Sequence, residues 1–142
     1  MPATKINARD WTFEIESKDA TPVWTAIAGI TSFSVDRGME EVDMTDFDSA
    51  GNYEGQAMQR AVAVTCEGFY LEDASGDRDA GQELVEDACA EVGDDSHYDF
   101  RITSPGGTVR TFTAYFNVSE PGGGNNDKTG WGFTATRSGA TS

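Results

Sequence analysis

Apolar and polar residues alternate with a period of two through most of this chain, and that alternation limits the fold more than any other feature. The first such segment is Trp11-Thr-Phe13-Glu-Ile15-Glu, and successive side chains of a strand point to opposite faces of its sheet. The same alternation recurs over residues 30–36, 62–70, 98–103, 109–118 and 129–136. These segments predict a mainly β fold, sandwich-like or barrel-like, with about six to seven antiparallel strands.

One segment follows a helical period instead. From Asp79 to Val92, apolar side chains recur on one side at helical spacing, whereas Glu83 and Glu86 fall on the other. Asp77 or Asp79 is suited to cap the first turn, and Gly93 suits the position just past the last turn. The pattern predicts an amphipathic helix over about residues 79–92 that packs on the sheet.

Length and charge narrow the class of protein further. The 142 residues, with 37% hydrophobic residues and 16 glycines, make one ordinary domain over 1–142 without an internal linker or repeat. The formal net charge of −15 argues against a protein that grips nucleic acid through phosphate contacts. No apolar run reaches the length of a membrane span, and no secretory signal opens the sequence. We therefore expect an intracellular product without a membrane partner, in which Cys66 and Cys89 are buried free thiols.

Residues 37–57 interrupt the alternation with a long acidic stretch, which we predict to be a loop with a short extended piece near Val42 and Met44. Its apolar side chains are unusual for a segment that faces only water. We predict that several of them are buried against a neighbouring copy of the chain. The apolar residues in and beside this loop are Met39, Val42, Met44, Phe47, Tyr53 and Met58.

Motifs for catalysis and for metal binding are incomplete. His97 is the only histidine, and no strained serine or cysteine motif accompanies it. Residues 122–129 only approximate a phosphate loop, since Asp127 takes the place of a glycine and a strand follows. Residues 46–51 open like a calcium loop, but alanines stand at two ligand positions. The sequence therefore predicts no catalysis, no bound metal and no cofactor.

The order of several short motifs carries a family resemblance. They are Trp24-Thr-Ala-Ile27-Ala-Gly29-Ile30, Glu41-Val-Asp43-Met-Thr45, Ser49-Ala-Gly51, Glu67-Gly68 and Trp131-Gly-Phe133-Thr-Ala135. In this order, over about residues 11–137, they resemble the major tail tube proteins of tailed viruses of prokaryotes. The same fold is used by the type VI secretion tube protein and by the inner tubes of contractile particles, so the resemblance leaves the kind of machine open.

The resemblance implies a structural subunit without catalysis. Its hexameric rings would stack into a hollow tube that conducts DNA into the host, and the loop 37–57 would reach the neighbouring ring. It also implies assembly in the host cytoplasm, a place in the virion tail, and contacts with tail terminator, tape measure and baseplate or tip proteins. DNA would pass through the tube without specific binding.

A conduit for DNA needs a neutral or acidic lumen, because a basic wall would retain phosphates. The polar faces of the second, third and final strands carry small hydroxyl side chains and a few acids, which suit such a wall. The residues expected to face the lumen are Ser32, Ser34, Asp36, Thr65, Glu67, Thr134 and Thr136.

Three other interpretations stay open. The acidity is also typical of proteins from a high-salt cytoplasm, so a halophilic host is compatible with a tube protein. A β-sandwich binding module, of the carbohydrate-binding or adhesin type, would need an exposed aromatic platform, for which Trp24 is the open position. A small hydrolase would need clustered carboxylates in one cleft.

Overall fold

The computed structural model describes residues 4–139, except for the side chain of Glu120. Seven strands form one antiparallel sheet in the order β2-β1-β5-β6-β7-β4-β3. The strands are β1 Thr12–Glu16, β2 Trp24–Ala26, β3 Ile30–Asp43, β4 Gly55–Phe69, β5 Tyr98–Thr103, β6 Val109–Gly122 and β7 Gly130–Arg137, and the helix α1 spans Ala80–Ala90. The predicted mainly β fold of six to seven antiparallel strands with one amphipathic helix is confirmed.

Strand β6 belongs to both halves of the sheet. It pairs with β5 as far as Ala114 and with β7 from Ala114 onward. The two halves then face each other, as shown by ring contacts between strands that are not neighbours: Phe100 of β5 lies 5.9 Å from Phe133 of β7, and Phe13 of β1 lies 5.0 Å from Phe33 of β3. The sheet is thus barrel-like, although its edge strands are not hydrogen-bonded to each other in the described residues.

The inward side chains of both halves form one core, as their alternation predicts. Ile15, Val64, Cys66 and Phe100 are fully buried within it. Edge-to-face and tilted ring pairs link its aromatic side chains, an arrangement that adds to the energy of burial alone. Burial raises the pKa of the Cys66 thiol to about 12, so this cysteine is a neutral core residue.

Helix α1 is tied to the sheet by a buried side chain, Gln82. Its Nε2 donates to the carbonyl oxygens of Ala28 at 3.0 Å and Phe69 at 2.8 Å, and its Oε1 accepts from the amide of Leu71 at 3.1 Å. Asp79 caps the helix by accepting from the amide of Gln82. These bonds hold the helix against both the start of β3 and the end of β4.

A second anchor joins α1 to β7. The Glu86 carboxylate accepts from Arg78 at 2.7 Å and from the indole of Trp131 at 3.0 Å. Hydrogen bonding to the Arg78 guanidinium, followed by that to Trp131, lowers the pKa of Glu86 despite the opposing effect of burial. Among the residues described, no helix has the length and apolar character needed to cross a membrane.

Two predicted boundaries differ from the structure. The helix ends at Ala90 rather than at about 92, since Glu91 is already extended, and Gly93 with φ +67° begins a 3-10 turn instead of closing α1. Nearly half of the segment 37–57 is strand, because β3 continues to Asp43 and β4 begins at Gly55. Residues 44–54 form the loop, so the prediction of a long loop was wrong over residues 37–43 and 55–57.

Candidate assembly surfaces

The outward side chains of β3, β4, β7 and β6 form one continuous face, because Cα partners in antiparallel strands point to the same side of a sheet. Ser34 pairs with Thr65, Thr65 with Thr134, and Thr134 with Asn117, which gives one row across four strands. The hydroxyls of Thr65 and Thr134 lie 3.5 Å apart. Further rows run parallel to this one on either side of it. We call this surface the polar face.

All seven residues predicted for a lumen lie on the polar face, which the register brings together from three strands. Asp36 and Glu67 are its charged members, and none of its twelve positions carries a lysine or arginine. The polar face comprises Ser32, Ser34, Asp36, Ala63, Thr65, Glu67, Tyr115, Asn117, Ser119, Gly132, Thr134 and Thr136. That the polar face lines a lumen stays a prediction.

Sequence reasoning did not include the β6 members of the polar face. Tyr115, Asn117 and Ser119 alternate with Phe116 and Val118, which point to the core side. The alternation of side chains along β6 alone would have placed these three residues on the polar face beside Thr134 and Thr136. The contribution of β6 therefore widens the polar face from three strands to four.

The four strands of the polar face end in two open edges. In the described residues β3 has β4 as its only strand partner, and β6 has no partner on its β5 side beyond Ala114. An open edge presents unpaired backbone amide and carbonyl groups that can pair with another chain. Because four strands alternate in direction, the β3 edge runs opposite to the β6 edge, so a second copy can continue the sheet in antiparallel fashion.

Residues 37–61 form a two-stranded hairpin that projects beyond the rest of the sheet, and we call it the arm. The β4–β7 pairing begins only at Ala63, so along the arm β3 and β4 pair with each other alone. All arm residues except Ser49 are exposed. The six apolar residues predicted to contact a neighbour are among them: Met39, Val42, Met44, Phe47, Tyr53 and Met58. Their contact with a neighbouring copy stays a prediction.

The tip of the arm, residues 44–54, is ordered by its own hydrogen bonds. The amide of Met44 donates to the carbonyl of Glu54 at 2.8 Å, which closes the loop. Asp46 caps the short turn Phe47–Ser49, where its carboxylate accepts from the amide of Asp48 and the hydroxyl of Ser49. This turn leaves the Phe47 ring fully in solvent at 105% relative exposure.

The features considered for other functions occupy ordinary structural positions. Trp24 is half-buried, and the Arg101 guanidinium lies 4.3 Å above its ring while pairing with Glu14, so Trp24 does not form an open platform. Asp127 accepts from the amide of Gly124 and shapes a hairpin turn. Within residues 4–139 no three His, Cys, Asp or Glu side chains converge as a metal site.

Comparisons with known proteins agree on the fold. A chain in the virion of a native gene transfer agent particle superposes with a TM-score of 0.72 and 16% identity, covering 97% of this chain and 98% of that one. A chain in the tail of an empty particle of this kind, with C6 symmetry, gives 0.71 and 19% over the same shares. A chain in the sixfold-symmetrised baseplate of an anti-feeding prophage gives 0.53 and 11% over 100% and 95%. Neither a family model nor a curated protein sequence matches the chain.

Proposed function

We propose that this chain is a structural subunit of a viral tail tube, in which hexameric rings stack into a hollow conduit for DNA. The observation that supports this most directly is the polar face, which is acidic, continuous over four strands and bounded by two open edges of opposite direction. A subunit with this shape closes a ring by edge pairing. The shared fold with a chain from a C6-symmetric tail supports six copies per ring.

Ring closure would solve two problems of the isolated subunit at once. The β3 edge of one copy pairs with the β6 edge of the next, which satisfies the backbone groups that the monomer leaves open. The same pairing joins the polar faces into one inner wall, with four strands from each copy. Asp36 and Glu67 then repeat around the lumen and repel the phosphates of passing DNA.

The high charge sets a condition on this assembly. Each copy carries a formal charge of −15, and repulsion between copies acts over a distance that salt shortens from about 30 Å at 0.01 M to about 3 Å at 1 M. We therefore expect rings and tubes to form more readily at molar salt. This behaviour would suit a virus of a halophilic host. The tube would be built in the host cytoplasm and end up in the virion tail, joined there to other tail proteins.

Negative-stain electron microscopy of the purified protein at low and at molar salt tests the proposal. Sixfold rings or hollow tubes of constant diameter are the expected result, with more of them at molar salt. Monodisperse monomers at high concentration in both conditions would refute the proposal. That result would favour the alternative function, a β-sandwich binding module, and a glycan screen would follow.

A chemical label tests the lumen assignment separately. Thr134→Cys on the polar face should react with a bulky polymer maleimide in the monomer and be protected in the tube. Glu83→Cys, on the exposed side of α1, is the matched control and should react in both states. Both are made with Cys89 replaced by alanine. Equal labelling of Thr134→Cys in monomers and tubes would show that the polar face lies outside.

A further inference from the structure

Four of the seven arginines surround one cavity at the base of the arm. The cavity has a volume of about 420 Å³, and its rim carries Arg37, Arg60, Arg110 and Arg137. These residues come from β3, β4, β6 and β7, so the fold brings them together from distant parts of the chain. In a protein with 25 acidic and 10 basic residues, this concentration of positive charge runs against the general charge pattern.

The described carboxylates leave much of this charge unbalanced. Arg78 and Arg101 are paired with Glu86 and Glu14, whereas Arg37, Arg60 and Arg110 make no ion pair with any side chain that the structure describes. Arg60 contacts the Met39 sulfur at 3.6 Å, and Arg137 donates to the Arg60 carbonyl. A guanidinium without a carboxylate partner remains available to an acidic ligand.

The floor of the cavity is apolar. Val64 is fully buried, Ile102 and Phe112 are nearly so, and all three line the cavity beneath the arginines. A complementary ligand therefore combines an apolar group, which fills the floor, with carboxylates that meet the rim. Inorganic anions lack the apolar group, and simple hydrophobic ligands lack the charge.

The tip of the arm has this combination. The Phe47 ring is fully exposed and lies between Asp46 and Asp48. The Asp46 carboxylate is used to cap the turn, whereas that of Asp48 makes no hydrogen bond with a described residue. The tip is already ordered, so little conformational entropy remains to be lost when it binds.

The tip cannot reach the cavity of its own chain. Gly38 lines that cavity, and β3 leads away from it as far as Asp43, roughly 17 Å at 3.3 Å per residue. The loop residues 44–47 add up to about 13 Å at full extension. The body of the subunit, from Val62 at the cavity to Phe69 at the other end of β4, spans roughly 23 Å on the strand scale. The arm and the body are thus comparable in length, so when two copies stack end to end, the arm of one has the length to lie along the body of the next toward its cavity.

We propose that the arginine-rimmed cavity of one copy binds the Phe47–Asp48 tip of a second copy of this chain. The Phe47 ring occupies the floor, and the Asp48 carboxylate meets the rim. The contact is heterologous, since each copy offers a tip to one neighbour and a cavity to another, and contacts of this kind propagate. It rests on the proposed function for the end-to-end stacking. Molar salt screens the long-range repulsion between copies, and a kosmotropic anion such as sulfate also strengthens burial of the ring.

Two variants that each remove one half of the contact test this directly. The cavity variant carries Arg37→Glu and Arg110→Glu, at two exposed residues without an ion pair in the described chain. The tip variant carries Phe47→Ala and Asp48→Lys. Circular dichroism confirms that each is folded, and analytical ultracentrifugation at low and molar salt gives the mass of the assembly.

Matched controls make the same chemical changes elsewhere. Lys5→Glu with Arg9→Glu reverses two exposed cations away from the cavity. Val92→Ala with Asp94→Lys alters an exposed apolar residue and an exposed acid that do not line the cavity. Both controls should assemble like the unmodified chain.

Mixing the variants gives the decisive result. Each variant alone should stop at single rings or monomers, and an equal mixture should double the sedimenting mass without forming longer stacks, because one working tip then meets one working cavity. A mixture that stays unchanged, or a tip variant that still makes long tubes, would overturn the proposal. The proposal would also be overturned if the control with Val92→Ala and Asp94→Lys lost assembly while the tip variant assembled normally. The contact between copies would then involve the acidic end of α1.

These experiments distinguish a failure of the tip-and-cavity contact from a failure of the proposed tube. If the unmodified chain forms tubes and both variants do as well, the tip-and-cavity contact is wrong and the tube stands. If the unmodified chain forms no ring or tube but the mixture still doubles in mass, the contact stands and the tube is wrong.

Discussion

Replacing Gln82 by methionine should destabilise the protein through the loss of hydrogen bonds alone. Methionine has nearly the same length and volume, so no large cavity is left behind. The change removes the two bonds donated to the Ala28 and Phe69 carbonyls and the two accepted from the Leu71 amide and, at 3.3 Å, the Arg78 guanidinium.

The size of the effect follows from these four bonds. A typical intramolecular hydrogen bond contributes about 0.5–1.5 kcal/mol net, so their loss should cost about 4 kcal/mol at about 1 kcal/mol each. The unfolding entropy of about 2.1 cal/mol/K per residue corresponds to roughly 0.3 kcal/mol/K for a chain of this length, which predicts a fall in Tm of about 13 °C. Part of a total stability of about 5–15 kcal/mol would be lost.

Thermal unfolding followed by circular dichroism measures this difference. Glu83→Met is the matched control, because it places the same side chain at the adjacent, exposed position of α1, where changes are usually within about 0.5 kcal/mol. Equal melting temperatures for Gln82→Met and Glu83→Met would refute the conclusion that Gln82 holds the helix to the sheet.

Three further results are expected. Gly68→Ala should unfold at a markedly lower temperature or fail to fold, because a Cβ at Gly68 would collide with the backbone carbonyl of Gly29, and melting curves would show it. The stabilising effect of Glu86, measured against Glu86→Gln in urea, should be complete above its unfolded pKa of about 4.5 and be lost as the pH falls through its lowered folded value; an unchanged difference at low pH would contradict the ion pair with Arg78. Cys66 should resist a thiol reagent at pH 8 until the protein is denatured, since burial raises its pKa to about 12; rapid labelling in the native state, followed by mass spectrometry, would show that the core is open there.

The period-two alternation was sufficient to identify most of the body of the fold. Where one face of a strand is buried, apolar and polar residues must alternate, and Phe13, Phe100 and Phe133 all lie in the core as their parity requires. The same alternation predicts Ser34 and Thr65 on the outward sides of their own strands, and the pairing of β3 with β4 brings them together. Local sequence therefore determined the face of each residue well.

The parts that were missed lack this signal for physical reasons. The arm strands beyond Asp36 are exposed on both faces, so no alternation distinguishes them from an acidic loop. Strand β2, at Trp24–Ala26, has only three residues, too few to show a period. The arginine cavity joins residues from five strands, and the pairing of those strands depends on the whole core rather than on any one segment.

The arm leaves the subunit from one end only, and this gives any stack a direction. At one end of a tube built as proposed, the last arms would have no copy to contact, whereas at the other end the first subunits would lack an incoming arm. The two ends would therefore present different surfaces and need different closing proteins. A tube built in this way would also grow at different rates from its two ends. At one end a new copy would have to insert its own arm, whereas at the other end it would be added onto an arm that is already in place, and these two additions differ sterically.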